Sequence, residues 1–200
     1  MLEVYIADVS RLDPEKARLS RQRLEKLARL TNADDKRRCA GAELLLAHAL
    51  GLSEPPKYSF GEHGKPYLAG GSIYFSLSHS GKYALCAISD VPVGADIERP
   101  RAGSARLARR FFTPREAALI NSDADFCRLW VQKESYVKAL GTGLAEGMSG
   151  FDIAELDDHA IALTSHDGYD IAVCLRGRIP ELSLKCVVFP DDLNISDTNG

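Results

Sequence analysis

Residues 72–98, "SIYFSLSHSGKYALCAISDVPVGADIE", constrain the fold more than any other stretch. Short apolar runs bounded by turn residues read as strands, and alternation at period two assigns their faces. "SIYFSLS" and "YALCAIS" form two such runs separated by the turn "HSGK", and "VPVGADIE" forms a third. Helical spacing brackets this cluster on both sides. Before it, Leu19, Leu24, Leu27 and Leu30 predict a helix from about Asp13-Pro14 to Leu30, and "DDKRRCAGAELLLAHALG" predicts a second ending at Gly51. After it, helices are predicted over roughly 104–111, 114–121 and 124–140. In "TPRE" Thr113 is the expected N-cap, Pro114 the first helical residue and Glu116 the partner in a capping box. Further strands are expected at 2–7, near Tyr58, and at about 160–164, 169–175 and 182–188.

The chain therefore reads as α+β, and its halves rhyme: each runs strand, helices, then short strands. The expectation is a pseudo-dimer of two similar α+β modules, residues 1–92 and 93–189, with the active site in the cleft between them. Residues 190–200 read as a polar, frayed tail. A length of 200 residues suits one domain or two small modules sharing a core, and 45% hydrophobic with 26% charged residues is a globular balance. A formal net charge of -3 argues against a general nucleic-acid or membrane binder. No segment approaches the ~18 apolar residues of a membrane span. The first residues, carrying Glu3 and Asp8, lack the apolar run of a signal peptide. The 5 cysteines are scattered without a CxxC, so disulfides and zinc are not expected and a reducing cytoplasm is the simplest location.

Four motifs could carry chemistry. In "VGADIE" the faces alternate, placing Asp96 and Glu98 side by side, where like charges repel. Taken alone, the pair reads most simply as a solvated strand face; the sharper alternative is a site for a hard cation such as Mg²⁺, bound by one or two carboxylates plus water and phosphate oxygens. In "WVQKESYVKALGTG" Trp130, Glu134 and Lys138 follow i, i+4, i+8 along one helix face, while Lys133 points elsewhere. That spacing allows a simple Glu-to-Lys ion pair, or a third carboxylate with a lysine to meet phosphate charge. "FSLSHSG" lacks the glycines of a nucleophile elbow, leaving an ordinary hairpin turn or a turn whose hydroxyls, amides and imidazole hold a phosphate. "GEHGKPYL" presents Lys65 in a rigid turn but is not a P-loop, since Ser59 and Pro66 stand where Gly and Ser or Thr are required.

In this order, "GKPYL", "FSLSHSG", "VGADIE", "RRFFTPRE" and "WVQKESYVKALGTGL" resemble the 4′-phosphopantetheinyl transferase superfamily, over about residues 37–151. The DxE motif follows some 95 residues that contain GKP and SHSG, so the larger two-module (Sfp-type) group is the better match than the smaller one-module trimers. The resemblance implies transfer of the 4′-phosphopantetheine arm of coenzyme A to a serine of an apo acyl or peptidyl carrier protein, releasing adenosine 3′,5′-bisphosphate. It implies Mg²⁺ on Asp96, Glu98 and Glu134, with Glu134 also taking the serine proton and Lys138 stabilising charge on the leaving phosphate. Ser78 and His79 match positions that contact the coenzyme A phosphates; Arg37 and Lys65 match basic positions at its 3′-phosphate and adenine end. Arg38 adjoins Arg37, and a one-residue shift between them stays open. Val131 departs from the Ser or Thr often found after the tryptophan, and Arg21, Lys26 and Arg29 have no assigned role.

The resemblance also implies a cytoplasmic monomer working with carrier protein and coenzyme A, without nucleic acid or membrane. Carriers of this kind are acidic around their modified serine, and the arginine-rich stretch 99–115 reads either as a surface that steers them or as a solvated helix face. Two alternatives remain at this point: another Mg²⁺-dependent phosphoryl-transfer enzyme acting on a nucleotide, and an inactive carrier-binding relative. The intact Asp96, Glu98, Glu134 and Lys138 speak against the latter.

Overall fold

A computed structural model describes residues 1–61, 64–143 and 147–190. The chain is mixed α+β. Its principal sheet has the order β4-β5-β1-β9, built from β1 (Leu2–Asp8), β4 (Tyr74–Ser80), β5 (Tyr83–Ser89) and β9 (Leu184–Val187). A second sheet, order β6-β8-β7, holds β6 (Val93–Glu98), β7 (His159–His166) and β8 (Tyr169–Arg176). A small hairpin joins β2 (Tyr58–Phe60) to β3 (Pro66–Leu68). The helices are α1 (Arg21–Ala28), α2 (Ala33–Ala49), α3 (Ala108–Phe111), α4 (Pro114–Ala117) and α5 (Asp123–Leu140).

Strand alternation decides the layers. Ala84, Cys86 and Ile88 of β5 face α2, together with Tyr5 and Ala7 of β1. The opposite face, with Val4, Ile6, Leu85 and Ala87, packs on Val93, Ala95, Ile97, Ile171 and Val173 of the second sheet. Burying each of the larger aliphatic side chains stabilises the fold by ~1.5–3 kcal/mol. The far side of the second sheet is covered by α5. There Gly94 lets helix and strand touch: a Cβ at this position would lie 1.8 Å from the Ser135 carbonyl oxygen.

The predicted strands form, with boundaries shifted by a few residues, and so does the capping box: Thr113 Oγ1 accepts from Glu116 N–H, and Glu116 accepts from Thr113 N–H. The helix expected from Pro14 is instead an irregular run followed by a helix that begins only at Arg21. Buried Glu43 accepts hydrogen bonds from both the N–H and the hydroxyl of Ser20, and Ser20 then caps α1. This long-range anchor sets the start. The last strand also differs from expectation in its partner. Although it lies late in the chain, β9 pairs parallel to β1 in the first sheet. The polar tail expected at 190–200 falls, from 191 on, outside the described residues.

Candidate active site

β6 delivers Asp96 and Glu98 to the edge where the two sheets converge. The pair is not a solvated face: Asp96 is 4% exposed and Glu98 half-buried. Asp96 Oδ1 accepts from Ser78 Oγ and from Lys138 Nζ, both at 2.6 Å. Its second oxygen, Oδ2, is buried without a partner. Glu98 Oε2 accepts from Ser80 Oγ at 2.6 Å and from Arg101 at 3.2 Å.

Helix α5 brings Lys138 and half-buried Glu134 to the same place, one turn apart. Burial raises the Glu134 pKa. The Lys138 cation opposes that rise, and the negative charges of Asp96 and Glu98 add to it. The charges of Asp96 and Glu98 on β6 thus reach Glu134 on α5.

Among the described residues no cluster of three or more His, Cys, Asp or Glu side chains is gathered closely enough to hold a metal unaided. Mg²⁺ does not require one: one or two carboxylates suffice when waters and substrate phosphates fill the remaining positions. Asp96, with an orphaned carboxylate oxygen, and Glu98 beside it have the chemistry of such a donor set. An unsatisfied buried carboxylate oxygen is otherwise costly.

Recesses border the strand on different sides. One, about 630 Å³, is lined by Arg37, Arg38, Lys82, Arg99, Asp167 and Tyr169. Arg38 donates to the Gly81 carbonyl at 2.7 Å, which fastens α2 to the β4–β5 turn, and Arg37 pairs with Asp34 at 2.6 Å. His79 lies exposed near the end of β4, just before that turn, and its pKa is pushed down by partial desolvation and then by the Arg38 and Lys26 cations. A smaller recess, about 290 Å³, is walled by Phe75, Leu77 and Val137, with Glu134, Lys138 and Lys65 at its polar side. A third, about 250 Å³, runs from Glu98 past Arg101, Leu107 and Phe111 to Trp130.

Some expected site residues are committed elsewhere. The Lys65 ammonium donates to the carbonyls of Val93, Lys138 and Ala139 rather than facing the basic recess, and burial lowers its pKa to about 8. The Ser78 hydroxyl is used by Asp96 and by the Ile97 N–H. Trp130 stacks on Phe126 and meets Phe111 edge-on. Three residues carry more than the sequence indicated. Lys82 and Arg99 join the basic recess. Lys133, wholly buried, pairs with Glu116 at 2.5 Å and donates to the Phe151 carbonyl. The capping box was the one available hint of that pair, because it marked Glu116.

A family model described as the 4′-phosphopantetheinyl transferase superfamily matches residues 92–181. A 4′-phosphopantetheinyl transferase of Bacillus subtilis is 34% identical over 167 residues, covering 77% of this chain and 74% of the relative. The transferase Sfp of Bacillus subtilis strain 168 is 28% identical over 182 residues, covering 78% and 81%. The transferase HetI of a Nostoc species is 36% identical over 173 residues, covering 78% and 69%.

Proposed function

The chain belongs to the 4′-phosphopantetheinyl transferase superfamily, and from that premise we propose that it moves the phosphopantetheine arm of coenzyme A onto a serine of an apo acyl or peptidyl carrier protein. The observation that carries this reading is the crossing of β6 and α5. There Asp96, with one oxygen unpartnered, Lys138 and the raised-pKa Glu134 meet, and Arg99, the residue that follows β6, lines a basic recess.

In the proposed reaction the carrier serine oxygen attacks the β-phosphorus of the coenzyme A pyrophosphate. A new P–O bond forms to the serine, and the P–O bond to adenosine 3′,5′-bisphosphate breaks. Glu134 takes the serine proton, directly or through water; its raised pKa makes it a stronger base than an exposed glutamate. Lys138 offsets charge growing on the departing bisphosphate. Arg37, Arg38, Lys82 and Arg99 hold the nucleotide's phosphates. Lys65, whose ammonium is engaged by the end of α5, is read as supporting that helix rather than contacting phosphate. A Mg²⁺ ion on Asp96 and Glu98, with Glu134 as third candidate ligand, would supply charge neutralisation and alignment of the pyrophosphate. The recess walled by Phe75, Leu77 and Val137 suits the less polar arm.

We also read the two sheets, each backed by its own long helix, as the pseudo-dimer of an Sfp-type enzyme, monomeric and cytoplasmic. The test is mass spectrometry of several apo carrier proteins incubated with the protein, coenzyme A and Mg²⁺. A mass gain of one phosphopantetheine is expected. No gain on any carrier, with the protein folded, would remove the proposal, and hydrolysis of coenzyme A without transfer would favour a different phosphoryl-transfer enzyme.

A further inference from the structure

On the face of the first sheet that meets the second, β1 and β5 present Val4, Ile6, Leu85 and Ala87. On β4 the alternating positions are Ser76, Ser78 and Ser80, while Phe75 and Leu77 face the α2 side. These serines are 5%, 8% and 5% exposed. A buried hydroxyl without a partner is destabilising, whereas an apolar side chain would need none. Each of the three finds its partner on β6.

Ser76 Oγ accepts from the Ala95 N–H at 2.9 Å. Ser78 Oγ accepts from the Ile97 N–H at 3.4 Å and donates to Asp96 Oδ1 at 2.6 Å. Ser80 Oγ donates to Glu98 Oε2 at 2.6 Å. The result is a ladder of hydroxyls across the junction of the sheets. Its first rung serves the backbone, and the next two end on the carboxylates. At Asp96 the serine and Lys138 occupy the same oxygen, which leaves Oδ2 unpartnered.

We propose that Ser78 and Ser80 are positioning residues that fix the orientations of Asp96 and Glu98 for a divalent cation. The inference rests on the metal reading above and reassigns Ser78 from a phosphate contact to a carboxylate holder. Ser80 acquires a role it did not have. Hydrogen-bond partners of ligating carboxylates typically contribute 10–100-fold in metal affinity.

The test uses the full chain with saturating coenzyme A, titrated with Mn²⁺ and followed by the electron paramagnetic resonance signal of the free ion. Ser80→Ala and Ser78→Ala should each weaken Mn²⁺ binding by ~10-fold or more, with thermal melting showing that the variants are folded. Ser80→Thr, which keeps the hydroxyl, should bind close to the parent. Asp96→Ala separates the two ideas. If it weakens Mn²⁺ binding while both serine-to-alanine variants stay within about twofold of the parent, the positioning role is wrong and the metal site stands. If Asp96→Ala leaves Mn²⁺ affinity unchanged, the metal site is wrong and the serine ladder has nothing to position.

Discussion

Glu134 is the residue on which the proposed chemistry turns, and its environment makes a directional prediction. Burial and the charges of Asp96 and Glu98 push its pKa up, while Lys138 pulls it down. A general base works only when ionised, so kcat/KM should fall as pH drops through a value above the usual 4.5. Glu134→Gln should lower kcat by ~10²–10⁴-fold, and its residual rate should lack that acidic limb. Removing the opposing cation with Lys138→Met should move the limb to higher pH. A limb that stays put in Lys138→Met would deny the coupling. At this scale the sequence was legible where spacing along one element sets the neighbours, as for Asp96 with Glu98 and for Glu134 with Lys138. It was not legible for Ser78, Lys65 or Lys133, because their partners lie 17 or more residues away and only the folded chain brings them together.

Among the elements, α5 bears two of the proposed active groups, so its seat on β6 matters as much as their identity. Gly94 is where strand and helix backbones meet, and a methyl group there would collide with the Ser135 carbonyl and, at 2.4 Å, with the Ala139 nitrogen. Neither atom belongs to a flexible side chain, so the helix itself must shift. Gly94→Ala should lose transfer activity and melt at lower temperature; a variant with parental activity would show that the contact has slack. The other side of α5 is pinned by the buried Lys133–Glu116 pair, which also reaches the Ile153 N–H. Breaking a buried pair strands a charge and costs ~3–5 kcal/mol. Lys133→Met should show that loss in denaturant unfolding, and Lys133→Met with Glu116→Leu should recover part of it. Helical spacing found α5 within a residue of its true start. It failed at Pro14–Ser20, an irregular run that ends where Glu43 anchors Ser20 as the cap of α1.

Over the whole molecule, charge is distributed against its sum. The chain carries a formal net charge of -3, yet Arg99, Arg101, Arg106, Arg109, Arg110 and Arg115 are all exposed along one stretch. That stretch borders the recess that begins at Glu98 and ends at Trp130, so the basic surface adjoins the proposed active site. Its composition was readable from the sequence, but its adjacency to Glu98 depends on how α3 and α5 fold back beside β6. The partner of β9 was likewise hidden, since a parallel pairing between opposite ends of a chain leaves no local trace. An acidic carrier would meet this surface before its serine reaches Glu134, and long-range attraction acts mainly on the rate of encounter. Arg106 and Arg109 have exposed side chains outside the basic recess proposed for the nucleotide. Reversing both to glutamate should therefore raise the carrier KM by about tenfold at low salt, through slower association. The KM for coenzyme A should not change. Because exposed charges separated by more than ~8 Å are largely screened at physiological ionic strength, the gap between parent and variant should shrink as salt is added. Steady-state kinetics at two salt concentrations checks both features. A carrier KM insensitive to the reversal would place carrier recognition on another face, and a salt-independent loss would point to direct contacts rather than steering.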